Sequence, residues 1–411
     1  MNMRPVFRVL ALALLPLFVA ACADKAPAPP PPPPPPAVQA PAPLPAQDWR
    51  KPVFYYATNR NALTGHNGSA QFGGQRSRQT AYGELKTTTS GGQSDGSDLY
   101  RVNVNLDRAT RLSRASFLGE IERAAARTPG REVLLFIHGF DNSFEDAAKT
   151  AARIGVGIGF TGATVLYSWP SEGSPVGYLA DRNNAYFAVH ALKELLVELT
   201  ASQWVGRVSV VVHSMGNEAF IRAYTELAGE CRGAGNACAD LRKVRTMVLA
   251  APDVDREIFL DQHAARLTSL DARVVLYASR ADVALAASAL VQGGDYERLG
   301  KNVVCIPGIH VTDVSNVKTD VLGHSWIAQS RAVLQDLRCT LTEGCNRYAS
   351  GQLREMTCTP AMRATVAGTT GASTDRAASG ASFWQLLVPG GGSIAPTGAS
   401  FGFKVPAFLS N

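Results

Sequence analysis

The 411-residue sequence has only seven histidines, and none is spaced H-E-x-x-H or H-x-x-E-H. Zinc hydrolases that take two imidazoles from one helix face need that spacing, so no metal or other cofactor is expected. No run of lysine or arginine stands out. Forty basic and 34 acidic residues leave a net charge of +6, which reads as a solvated surface rather than a nucleic-acid footprint. No internal repeat is evident. The apolar run at residues 9–20 falls short of the ~20 residues that a membrane-spanning helix needs.

That run has another reading. Two arginines precede it in "MNMRPVFR", and Ala20 and Ala21 follow it before Cys22. Charged start, short apolar core and small residues make a signal peptide, and "VAAC" resembles the lipobox of bacterial lipoproteins. The resemblance implies a leader over 1–21 and a Cys22 that carries the lipid and holds the chain to the membrane. Ala23 in place of Asp is similar to the outer-membrane class, which places the protein in the bacterial cell envelope, facing the periplasm. Residues 22–49 are expected as a Pro/Ala-rich linker. Its tract at 26–47 favours an extended polyproline rod that spaces a folded domain from a membrane. With Cys22 acylated, six of seven cysteines remain, an even number that suggests disulfides in an exported chain. Cys231 and Cys238, flanking "RGAGNA", are the favoured pair. Cys339 and Cys345 flank "TLTEG".

Residues 50–345 read as one large domain. "PVFYYATN" (52–59), "GELKTTT" and "YRVNVNL" (100–106) are strand-like. Nearly continuous apolar runs follow at 132–140, 163–170, 207–214, 244–253, 273–282 and 302–309. Amphipathic stretches separate them, including 185–200 and a last helix over 325–337. Short apolar strands alternating with helices predict an α/β domain with a mostly parallel sheet covered on both faces. The Gly/Ser/Thr/Ala-rich remainder, 346–411, reads as a largely flexible tail with one docking segment at "FWQLLVP".

Ligands of such sheets sit beyond the carboxyl ends of the strands. Four groups fall there: His138-Gly139-Phe140, His213-Ser214-Met215-Gly216, Asp282, and His324 before the last helix. Ser214, Asp282 and His324 follow the chain order of an α/β-hydrolase triad. A serine hydroxyl is a weak nucleophile; it needs an imidazole to take its proton and a carboxylate to orient that imidazole. The backbone N–H groups of Met215 and Phe140 are the candidate oxyanion donors. Asp253 and Asp255 compete with Asp282 as the acid, and His310 competes with His324 as the base. His213 is expected to pack beside the turn. The usual G-x-S-x-G elbow lacks its first glycine here, because position 212 is Val; this raises a packing question for the helix that follows. Residues 169–178, "WPSEGSPVGY", either wall an acyl pocket or connect rigidly.

"LLFIHGFDNSFEDAAKTAARI", "LYSWPSEGSPVGYLADRNNA", "VHSMGN" and "YASRADVAL…GHSW" together resemble a bacterial α/β-hydrolase family once known only as a domain of unknown function, with members described as esterase-like. "VFYYATNR" is similar to its opening strand, and the resemblance covers about 50–340. It implies an α/β-hydrolase fold with Ser214 as nucleophile, Asp282 as acid and His324 as base. The expected activity is a carboxylic ester hydrolase working on a small ester through an acyl-enzyme. The competing reading is a non-catalytic envelope-binding module on the same scaffold.

Overall fold

The computed structural model describes residues 40–66, 68–91, 98–233, 240–317, 322–342, 344–366 and 380–388. The leader, Cys22 and most of the Pro/Ala tract lie outside the described residues. Cys238 does too, and with it the expected Cys231–Cys238 pair.

The strands in chain order are β1 (Val53–His66), β2 (Ser69–Gly91), β3 (Val102–Leu112), β4 (Glu132–Ile137), β5 (Ala163–Ser168), β6 (Arg207–His213), β7 (Val244–Ala250), β8 (Arg273–Ala278), β9 (Ile309–Asp313), β10 (Leu353–Thr357) and β11 (Ser382–Leu386). The helices are α1 (Arg114–Ala125), α2 (Phe144–Gly157), α3 (Tyr178–Ala201), α4 (Gly216–Gly233), α5 (Arg256–Ile258), α6 (Ala264–Leu267), α7 (Val283–Val291) and α8 (Arg331–Leu341). All eleven strands join one sheet in the order β10-β11-β9-β8-β7-β6-β4-β5-β1-β2-β3. From β1 through β11 the neighbours pair in parallel; β2 and β10 run against these strands, and β3, antiparallel to β2, runs with them.

The continuous apolar runs are explained by burial on both faces. Leu135 and Ile137 of β4 enter one apolar cluster with Val210 and Val212, while Leu134 and Phe136 enter a second with Val211 and Val248. Successive side chains of a strand point to opposite faces, so a strand covered twice has no place for an alternating polar residue. The α/β-hydrolase fold read from the sequence is the fold observed. After β4 the chain crosses to β5 on one side and then returns to β6 on the other. That reversal opens a crevice at the carboxyl ends of β4 and β6.

Four local expectations are corrected. The apolar run 302–309 is not a strand; Pro307 and Gly308, the latter at φ +80°, interrupt it, and β9 begins at Ile309. The helix expected over 325–337 is a 3-10 turn at Trp326–Ala328 followed by α8. The domain does not end at 345, because β10 and β11 extend the sheet and Cys358 bonds to Cys305. Nor does it start at 50. Leu44 packs against the core, its N–H donates to the Arg123 carbonyl (3.1 Å), and Arg127 donates to the Pro45 carbonyl (2.9 Å), so the end of the linker lies along α1. Cys339 and Cys345 form a second disulfide.

Candidate active site

Ser214 follows the last residue of β6 and precedes α4 by two positions. Its φ is +51°, a left-handed conformation that costs a residue with a Cβ about 1–2 kcal/mol. The turn is over-determined by hydrogen bonds. The Ser214 N–H donates to the Ala250 carbonyl (3.0 Å), and its carbonyl accepts from the N–H groups of Asn217 (3.1 Å) and Asp253 (3.3 Å) and from the Asn217 side chain (2.9 Å). Gly216 is obligatory, since a Cβ there would lie 2.3 Å from the His138 carbonyl oxygen. Val212, where the usual motif has glycine, is fully buried in one apolar cluster with the small Ala219 and Ala223 of α4.

Asp282 caps α7, accepting from the Leu285 N–H at 2.9 Å through Oδ1. Its other oxygen accepts from His324 Nδ1 at 2.6 Å. Donation at Nδ1 leaves Nε2 as the basic nitrogen of the neutral ring. The loop carrying His324 is tied to the start of α7 by the Val283 N–H donating to Leu322 (2.9 Å), and Gly323 takes φ +63°. The His324 ring lies 4.7 Å, centroid to centroid, from the ring of His213, the residue before Ser214, and His213 Nε2 lies 3.1 Å from the His324 carbonyl oxygen. Asp282 thus holds His324 against His213, the neighbour of Ser214, at the carboxyl ends of the central strands, and His213 packs there as expected.

Phe140 and Met215 flank the crevice. Among the described residues neither backbone N–H donates a hydrogen bond. Gly139 lets the two turns touch: a Cβ on it would fall 2.7 Å from Ser214 Cβ and 3.1 Å from His213 Nδ1.

The competing residues are engaged elsewhere. Asp253 is buried and accepts from Arg298 Nε (2.7 Å), Ser288 (2.5 Å) and the Tyr178 hydroxyl (2.9 Å). Asp255 caps α5. His310 sits near the start of β9, at the amino ends of the strands, 2.8 Å from the Tyr348 hydroxyl. Burial, helped by Arg347 and Arg273, pushes its pKa down to about 4.

Two supports have roles that the sequence did not show. Arg60 of β1 is 2% exposed and donates to the carbonyls of Gly73 (3.1 Å), Ser171 (2.7 Å) and Asn142 (2.6 Å), joining the loops after β4 and β5. Burial lowers its pKa to about 10, so it remains charged at neutral pH. His138 stacks on Trp169 (4.9 Å, 12°), while the Trp169 indole N–H donates to the His138 carbonyl at 2.7 Å. Burial holds the His138 pKa well below that of a free imidazole, and a neutral ring beside Arg60 avoids a second buried charge. The sequence signal was a charged residue ending an apolar run, "YYATNR". Residues 169–178 are tied down at both ends: Ser171 donates to the buried Asp181 (2.5 Å), and Tyr178 meets Phe140 edge to face at 5.4 Å. Among the described residues, no group of three or more His, Cys, Asp or Glu side chains is placed to hold a metal ion.

The family described as "Alpha/beta hydrolase of unknown function" (DUF900) matches residues 113–340. No curated protein matches the chain. Among solved structures, a hyperthermophilic esterase from the archaeon Pyrobaculum calidifontis is similar at 12% identity over 64% of this chain and 81% of that one. Its TM-score is 0.29, a likeness too distant to bear on the chemistry.

Proposed function

The chain belongs to this family of α/β hydrolases, and on that premise we propose that it is a serine hydrolase cleaving carboxylic esters through an acyl-enzyme on Ser214. The observation that carries the reading is the 2.6 Å bond from His324 Nδ1 to Asp282, at the carboxyl ends of the strands, where Ser214 holds its left-handed turn. In this reading His324 Nε2 takes the hydroxyl proton as Ser214 Oγ bonds to the ester carbonyl carbon. The oxyanion accepts from the N–H groups of Phe140 and Met215. Collapse breaks the bond to the alkoxy oxygen, which leaves as alcohol with the proton from His324. Water then adds to the acyl-enzyme by the same route, releasing the acid and restoring the serine.

An apolar rim supports an ester with an apolar acyl group. Val176 (86% exposed), Leu179, Leu290 and Leu322 are among the exposed large hydrophobics. Tyr178, between the first two, bonds Ser288 and Gln292 on either side of Leu290, and Leu322 is held to α7 two residues before His324. Solvent-facing leucines gathered at a crevice mark a binding surface more than scattered ones do. The test is hydrolysis of p-nitrophenyl esters of increasing chain length by wild type and Ser214→Ala. The reading expects turnover by wild type with loss of at least 10³-fold in the variant; equal rates would sink it.

The enzyme is further proposed to be lipid-anchored through Cys22 in the bacterial cell envelope, on the evidence of the leader and the Pro/Ala tract. Two disulfides suit an oxidising compartment. Metabolic labelling with a radioactive fatty acid should mark the wild type and not Cys22→Ser; equal labelling of both would refute the anchor.

A further inference from the structure

At the amino ends of the central strands, opposite Ser214, lies a groove of about 650 Å³, within the range of small-ligand sites. Strand β6 separates it from Ser214 by roughly 20 Å, at about 3.3 Å per residue. Three arginines line it at the starts of adjacent strands: Arg207 on β6, Arg245 on β7 and Arg273 on β8. Strands sit about 4.8 Å apart, so the three guanidinium groups start within about 10 Å of one another. The hydroxyl-bearing Thr268 and Thr340 line the same groove, as does His310, which its low pKa keeps uncharged at neutral pH.

The charge in this groove is unbalanced. The lining holds three guanidinium groups and one carboxylate, Asp271. Glu132 pairs with Arg207 at 3.8 Å. Arg273 is held by the Thr340 carbonyl at 3.5 Å. Among the described residues the Arg245 side chain makes no hydrogen bond or ion pair. Burial lowers the proton affinity of Arg207, and Arg245 and Arg273 lower it further, against the pull of Glu132. Gathering like charges in a concave surface raises the local potential and focuses it on an anion. The wall formed by Thr340, Leu341 and Thr342 is closed on itself by the Cys339–Cys345 disulfide, so the arginines face a fixed shape.

We propose that this groove is a binding site for a phosphoryl group carried on a larger body, either a soluble phosphorylated molecule or a phospholipid headgroup. Three guanidinium forks suit the tetrahedral, multiply charged phosphoryl oxyanion, which accepts paired N–H donors on several edges. The volume exceeds what one phosphate fills, which calls for a body behind it.

The test uses the full chain carrying Cys22→Ser, so that a lipid anchor adds nothing to binding. Titration calorimetry with inorganic pyrophosphate is one arm. Flotation with phosphatidylglycerol vesicles, against phosphatidylcholine vesicles, is the other. Each is run on this chain and on the same chain with Arg245→Gln and Arg273→Gln, both exposed positions; unchanged unfolding midpoints without anion verify the fold, and Arg245→Gln alone replaces the pair if they change. Binding in either arm, weakened at least tenfold by the substitutions, is the expected result. Pyrophosphate binding assigns a soluble ligand, and selective flotation with phosphatidylglycerol assigns a headgroup. Binding in neither arm, or equal binding by the variant, overturns the proposal.

Discussion

Gly139 sits between the two turns that build the crevice, with room for hydrogen and nothing more. Gly139→Ala forces a shift of several tenths of an ångström between Ser214 and the loop after β4. Displacements of about 1 Å near a reacting centre cost about 100-fold in rate. We expect ester turnover to fall by roughly that factor, with the unfolding midpoint little changed; a fully active variant would contradict the close contact. Asp282 has two jobs, capping α7 and accepting from His324. Asparagine caps a helix as well as aspartate does, but its amide can face the imidazole with a donor and fix the wrong tautomer. Asp282→Asn should therefore keep the thermal midpoint and lose about 10³–10⁴-fold in kcat. Ser214, Asp282 and His324 were legible as candidates because strand ends and chain order point to them. Arg60 was not: the acceptors it holds lie 13, 82 and 111 residues away, and no local pattern joins such distances.

The central strands were legible as elements because burial on both faces leaves an apolar run that nothing else explains. The edges were not. β10 carries Arg354 and Glu355, exposed on the outermost strand, and an edge strand has no second neighbour to demand apolar residues. Its attachment depends on pairing with β11 and on the Cys305–Cys358 bond, 53 residues apart in sequence. In the chain-entropy account a loop of that length contributes about 4 kcal/mol, against about 2 kcal/mol for the loop closed by Cys339 and Cys345. Denaturant unfolding of Cys305→Ser/Cys358→Ser and Cys339→Ser/Cys345→Ser should show the first pair losing more stability. The reverse order would mean that the C-terminal segment is not integral to the sheet.

At the scale of the whole molecule, burial of neutral imidazoles sets part of the acid response. Burial, with Arg222 and Arg266 assisting, lowers the pKa of His263 to about 4, and His310 behaves alike. Between about pH 6.5, where a free imidazole titrates, and pH 4 the unfolded chain takes up protons that the folded chain refuses. Stability from these groups is complete above that window and is lost as pH falls through it. Buried carboxyls with raised pKa values, such as Glu218, act in the opposite sense, so the contribution is isolated by difference. The midpoint of His263→Gln should fall less steeply than that of wild type between pH 6.5 and 4; parallel curves would exclude a neutral buried His263.

The architecture followed from alternating apolar and amphipathic runs, and the switch between β4 and β6 gave Ser214 its place at the crevice. What composition could not reveal was the arginine-lined groove at the amino ends of the strands, since Arg207, Arg245 and Arg273 are scattered in sequence and gather only when β6, β7 and β8 align. The central claim, that Ser214 is an activated nucleophile, is tested most directly by labelling the folded protein with a fluorophosphonate probe and mapping the modified residue by mass spectrometry. The account predicts one adduct, on Ser214, absent from Ser214→Ala and strongly slowed in His324→Ala. No adduct on folded wild type, or an adduct that survives Ser214→Ala, would contradict it.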